Sequence, residues 1–210
     1  MTAGAFLDAA TAAVGLLRHP AVPAAWNAPS ALPELTVGGL AGHLARQIFH
    51  VRNAVAQDPT DEPPTTLLDH YARSRWAGAA LDDDVNVRIR RDSEHTASDG
   101  PAALAARAGA AVDALRTTLP AQPSGRAVHL PWGPWSLTLD DFLITRMLEI
   151  IVHCDDLACS IGVETPPQPL EVVDPVVALL SRLAVRRHGP TAVLRALSRA
   201  ERAPATIAAI

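Results

Sequence analysis

The stretch from Leu139 to Ile161, LDDFLITRMLEIIVHCDDLACSI, limits the fold more than any other in the chain. Turned at about 100° per residue, it is apolar nearly all the way round. Leu143, Ile150, Leu157 and Ile161 mark one side, and Ile144, Leu148, Ile151 and Val152 the other. A helix of that kind belongs inside a core. One narrow strip interrupts it: Arg146, Glu149, His153 and Asp156, at steps of three, four and three, which stack on a single face. Bare charges are costly to bury, so such a strip is either internally paired or bound to a metal.

The flanking sequence agrees with a helix here. Thr138 precedes it as an N-cap, Asp140 and Asp141 favour the positive end of its dipole, and Gly162 ends it. A second amphipathic run, VGGLAGHLARQIFHVRNAVA, follows Thr36 and carries Val37, Leu40, Leu44, Ile48, Val51 and Val55 on one face. Gly38, Gly39 and Gly42 are poor helix formers, and their presence points to close approach by a neighbouring backbone or a ligand. Further helices are predicted over 2–18, 65–81, 101–119, 175–187 and near 190–200. Residues 82–96 either extend the third helix or form a separate acidic-capped one. Pro20, Pro23, Pro29 and Pro33 predict a non-helical crossing, and Arg126 to Leu137, with WGPW at its tip, predicts a short hairpin or ordered loop. The expectation is an all-α four-helix bundle, with a small hairpin before the last main helix and short C-terminal helices. Residues 1–165 are expected to form the bundle, and 166–210 a helical extension packed on it.

The chain has 210 residues and a formal net charge of -4, which argues against a nucleic-acid partner. No charge-free apolar run is long enough to span a membrane, and the amino terminus is a poor signal peptide, so a cytoplasmic protein is expected. Cys154 and Cys159 are five apart on one helix and face different ways, which disfavours a disulfide between them. Monomer and homodimer both remain open.

Glu149 and His153, four apart, can chelate one ion from one helix. A catalytic zinc site uses three protein ligands, and His43, on the second helix beside Gln47 and Gly42, is the candidate for the third. The spacing alone is equally consistent with a salt-bridged strip and a satisfied core histidine. Arg146 would pair with Glu149 or Asp156 or steer an anionic substrate, pairing being the simpler reading. Asp156 would orient a ligating imidazole. His50 lies two turns beyond His43, about 10 Å along the axis, too far to share an ion. Trp132 and Trp135 would either roof a pocket or pack a hairpin tip. Tyr71 and Trp76 read as core, Cys154 as a buried thiol, and His19, His70, His95 and His129 carry no signal.

The segments LTVGGLAGHLARQIFHV and TRMLEIIVHCDDLACSIG resemble the two motif regions of the mycothiol-dependent maleylpyruvate isomerase amino-terminal domain, one of the DinB-like metal-binding four-helix bundles. A Thr-Val-Gly-x-Leu start leads to His-Leu-Ala-Arg in the first; the second is an Arg-x2-Glu-x3-His-x2-Asp pattern, roughly a hundred residues on. The resemblance covers about residues 5–165. It implies divalent zinc at His43, Glu149 and His153, and mycothiol, a small-molecule thiol, as cosubstrate. The isomerase proper continues into a second domain that carries an arginine needed for isomerisation. Here about 45 residues follow residue 165, and Arg186, Arg187 and Arg195 do not match that arginine. The chain is therefore expected to be a mycothiol-dependent S-transferase that attacks a small electrophile. A metal-dependent hydrolase of an amide or thiol conjugate, and a non-catalytic metal- or ligand-binding module, are the alternatives. Two imidazoles and a carboxylate also suit Ni2+, Fe2+ or Mn2+.

Overall fold

The computed structural model describes residues 2–74, 78–123 and 125–210. In chain order it contains α1 (Thr2–Leu17), α2 (Ala21–Ala24), α3 (Val37–Ala56), α4 (Leu67–Arg73), α5 (Asp84–Ala97), α6 (Pro101–Thr118), β1 (Ala127–His129), β2 (Ser136–Thr138), α7 (Leu139–Ile161), α8 (Leu170–His188), α9 (Pro190–Ser198) and a 3-10 turn at Ala200–Arg202. The architecture is an all-α bundle of α1, α3, α6 and α7, in which α1 and α3 each pack on both α6 and α7. Phe6, Leu40, Leu44, Leu104, Leu115, Phe142 and Met147 meet in its core with almost no exposure. Outside this frame α5 lies along α3, α8 packs on α7 and α1, and α9 packs on α8.

The caps fix where the two longest bundle helices begin. Thr36 Oγ1 accepts from the Gly39 amide at 2.9 Å, and Thr138 Oγ1 from the Asp141 amide at 3.1 Å. Gly162 adopts φ +67°, the left-handed conformation that glycine reaches without steric cost, and closes α7. No helix among the described residues is long and apolar enough to cross a membrane.

Three expectations need correction. The helix predicted over 65–81 is helical only from Leu67 to Arg73. Ser74 turns to an extended conformation while its hydroxyl bonds back to the His70 carbonyl at 2.9 Å, and Gly78 has φ +83°, which no right-handed helix contains. Trp76 lies outside the described residues. The helix expected from 175 starts at Leu170 and runs through Pro175. The missing Pro175 amide removes one hydrogen bond near the N-terminus, where buried Val172 and Val176 hold the turn against the core. The crossing between α1 and α3 includes the short helical turn α2. Of the two alternatives for 82–96, the chain takes the separate helix, α5, over Asp84–Ala97.

β1 and β2 pair antiparallel, with Val128 opposite Leu137. The Pro131–Trp135 tip folds back so that the Leu130 amide donates to the Trp135 carbonyl at 3.2 Å. Ser136 Oγ donates to the Glu62 carbonyl at 2.8 Å, which ties the hairpin to the chain ahead of α4.

Candidate metal centre

His43 projects from α3, and Glu149 and His153 from one face of α7, into the seam where these helices pack. His43 Nε2 lies 3.5 Å and His153 Nε2 3.3 Å from the same oxygen, Glu149 Oε2. The imidazole rings meet edge to face with centroids 4.5 Å apart. Donor atoms of the three residues all lie within 4.8 Å of one another, and among the described residues no other group of three or more His, Cys, Asp or Glu is placed to hold a metal ion. The three side chains keep 13–16% of their surface exposed, so the cluster is sunk but reachable.

The far side of each imidazole fixes which nitrogen is free. Ser93 Oγ stands 2.6 Å from the Ile89 carbonyl, which can only accept, so the hydroxyl proton points there. Ser93 Oγ then accepts from His43 Nδ1 at 3.2 Å, and the Nδ1 proton is committed. Asp156 Oδ2 lies 2.9 Å from His153 Nδ1 and accepts its proton in the same way. When both rings are neutral, their Nε2 atoms therefore turn bare lone pairs toward the same carboxylate oxygen. Three acceptors this close repel one another unless a cation lies among them.

The three groups shift one another's proton affinities. Burial would lower the pKa of His153, but its hydrogen bonds to Asp156 and Glu149 raise it to about 9. Burial lowers His43, and the attraction of Glu149 does not restore it. Burial would raise Glu149, yet hydrogen bonds from His153 and His43 and the charge of Arg146 hold it well below the usual carboxylate range.

The seam continues past these three residues. Gln47, one turn beyond His43 and 2% exposed, donates to the His43 carbonyl at 3.0 Å, with its Nε2 also 3.4 Å from His43 Nε2. Its Oε1 accepts from Arg146 Nη1 at 2.6 Å, and Arg146 Nε donates to Thr145 Oγ1 at 3.1 Å. Arg146 thus pairs with neither Glu149 nor Asp156 by direct contact, contrary to the simpler expectation. Its guanidinium carbon sits 5.0 Å from the centre of the Trp132 ring. Trp132 also meets His50 edge to face at 5.2 Å. Burial takes His50 down to about 3, so that imidazole is neutral at physiological pH. Trp135 does not join this wall; its indole Nε1 donates to Nδ1 of the buried His70 at 3.0 Å. Cys154 is buried, with its thiol pushed up to about 12 by that burial, while Cys159 is an exposed free thiol.

Two residues here carried no sequence signal. Ser93 lies in a charged run, RRDSEHT, where nothing distinguishes it, and the sequence around His70 does not set it apart from the other histidines. Gly42 explains how Ser93 arrives: a Cβ on Gly42 would stand 2.2 Å from the Ser93 carbonyl oxygen. The neighbouring backbone that the glycine anticipated is therefore that of α5.

No curated protein and no solved structure matched this chain. The family model described as Mycothiol maleylpyruvate isomerase N-terminal domain matches residues 7–158. That span takes in α3, all but the last three residues of α7 and everything between them, and the chain belongs to this family.

Proposed function

We propose that His43, Glu149 and His153 hold one divalent ion, zinc before nickel, iron or manganese, and that the protein is a transferase joining a low-molecular-weight thiol, mycothiol in the first place, to a small electrophile. The observation that carries this reading is the convergence of two imidazole lone pairs on one carboxylate oxygen, with both Nδ1 protons anchored on the outer side. Zinc bonds of 2.0–2.1 Å in a tetrahedron separate neighbouring donors by about 3.3 Å, against 3.3 and 3.5 Å for the two imidazole–carboxylate pairs.

Bound there, zinc would supply a Lewis acid that keeps a thiol as its thiolate near neutral pH. The chain's own groups set the conditions for it. Glu149 brings the one negative charge of the three donors, which leaves a divalent site with a net positive charge to attract a thiolate. Asp156 and Ser93 hold the imidazoles in the tautomer that presents Nε2. Three protein donors leave a fourth corner free for a reactant. The family supports a thiol as the reactant, since its name joins mycothiol to this domain.

Two measurements test the reading. Metal analysis of the purified protein should find about one zinc per chain, lost in His43→Ala and His153→Ala; unchanged metal in both variants removes the site. Zinc-loaded protein incubated with monochlorobimane should form conjugate only when mycothiol is supplied. Turnover that does not depend on thiol would instead indicate hydrolysis or another reaction.

A further inference from the structure

The surface of the C-terminal extension differs from that of the bundle. Of the eight large apolar side chains exposed among the described residues, six lie between Leu170 and Ile210, beyond the span matched by the family model. Helix α8 carries three of them: Leu170 at 70%, Val177 at 52% and Val185 at 37% exposure. Its opposite face, with Val172, Val176, Leu179 and Leu183, is buried on the bundle. Turned at about 100° per residue, the outward stripe of α8 reads Glu171, Asp174, Ala178, Arg182 and Val185, all exposed, with Leu170 and Val177 along one edge.

The charges on this stripe are not explained by α8 alone. Acidic groups in the first turn of a helix and basic groups in the last suit its dipole, which accounts for Glu171, Arg186 and Arg187. Asp174 and Arg182 lie between those turns, and neither has an opposite charge three or four residues away. Among the described residues Glu171, Asp174 and Arg182 enter no ion pair. Asp174 stands four residues before Ala178 and Arg182 four after it, each about 6 Å along the axis. A second α8 running antiparallel and centred on Ala178 therefore sets Arg182 of each copy at the height of Asp174 of the other, one turn from its Glu171. The same rotation brings Val185 of each copy to within one residue of Leu170 of the other, and the two Val177 side chains together beside the axis. Parallel packing in register would put Asp174 against Asp174 and Arg182 against Arg182. The stripe is thus complementary to itself under a two-fold rotation.

We propose that α8 is the contact through which two copies of this chain form an antiparallel, two-fold dimer. The small Ala178 on the axis admits close approach, Leu170, Val177 and Val185 supply the apolar contact, and Arg182–Asp174 pairs flank it. This interface needs no metal and stands apart from the thiol-transfer reading. An anionic membrane is the competing occupant for an apolar face with arginines, and Glu171 and Asp174 within the stripe oppose it.

Sedimentation velocity of the full chain, from low to high micromolar concentration, should show a monomer passing to a dimer. Arg182→Asp and Asp174→Arg should each weaken the dimer about tenfold or more, because the two-fold axis repeats every like-charge contact. Mixed in equal amounts, these two variants should recover a dimer, since one chain then carries two arginines and the other two aspartates at facing heights. Ala178→Glu, at an exposed position, sets two carboxylates on the axis and should leave a monomer with wild-type circular dichroism. A monomer at every concentration in the wild type overturns the proposal, as does wild-type association in Ala178→Glu. Failure of the mixture to associate better than either variant alone overturns the antiparallel register. A monomer that floats with phosphatidylserine vesicles would assign the face to a membrane and overturn the dimer.

Discussion

Replacing Gly42 by alanine probes the link between packing and chemistry. The added Cβ would lie 2.2 Å from the Ser93 carbonyl oxygen and 3.1 Å from Ala97 Cβ. Ordinary contact begins near 3.4 Å, and the closer obstacle is backbone, so α5 must retreat from α3 by about 1 Å. Overpacking of this kind costs about 1–3 kcal/mol; the better helix propensity of alanine returns up to about 1 kcal/mol. A net loss of about 1–2 kcal/mol lowers the melting temperature by roughly 2–8 °C in a protein of this size. The same retreat draws Ser93 away from His43 Nδ1, now 3.2 Å distant, and frees the ring to turn. Loss of such an outer hydrogen bond typically costs 10–100-fold in metal affinity, readable by competition with a chromophoric chelator. Gly15→Ala is the control: it sits on exposed α1 surface with nothing within 4 Å of a new Cβ, and should be neutral or slightly stabilising. If Gly42→Ala melts with Gly15→Ala and binds zinc as tightly as wild type, the close approach of α5 has no part in holding His43.

The remaining predictions concern the hydrogen bonds behind the site and the second buried histidine. Ser93→Ala and Asp156→Asn should each weaken zinc binding by about 10–100-fold with little change in helix content by circular dichroism; wild-type affinity in both would show that the imidazoles need no outer anchor. The pKa of His70 is depressed to about 4 by burial first and by Arg146 second. Because the unfolded chain takes up that proton at higher pH, the contribution to stability is fully present above about 6.5 and is lost as pH falls through 4. Denaturant midpoints measured between pH 7 and 4 should fall with acid in the wild type and fall less in His70→Gln; parallel curves would mean that His70 stays neutral in both states or is not buried.

How much of this was legible follows from how local each signal is. The limits of α7 were readable because Thr138, Gly162 and the apolar periodicity all lie within the segment they define. The pairing of His43 with Glu149 and His153 was reached through two motifs about a hundred residues apart, and the chain folds so that these residues meet. Helix α4 is shorter than the expected 65–81 because composition cannot show that the Ser74 hydroxyl bonds back to His70, and α8 starts ahead of the expected 175 because the buried Val172 holds the turn before Pro175 on the core. Ser93 lay beyond reach: its role depends on which helix fills the space left by Gly42, a fact of packing rather than of pattern.

The site lies where it does because two polar strips face each other. On α3, His43, Gln47 and His50 recur at steps of four and three; on α7, Arg146, Glu149 and His153 recur at three and four. Each strip alone would weaken an apolar helix face, and neither reaches solvent freely once the bundle closes. Packed together they satisfy most of one another's needs: Gln47 answers Arg146, and both imidazoles turn to Glu149. The demands left over are specific. Two imidazole nitrogens and a carboxylate oxygen converge where one divalent cation would answer all three. An apolar seam of the same volume is often at least as stable as a buried charged one, so a seam this polar is better explained by a ligand than by the demands of the fold.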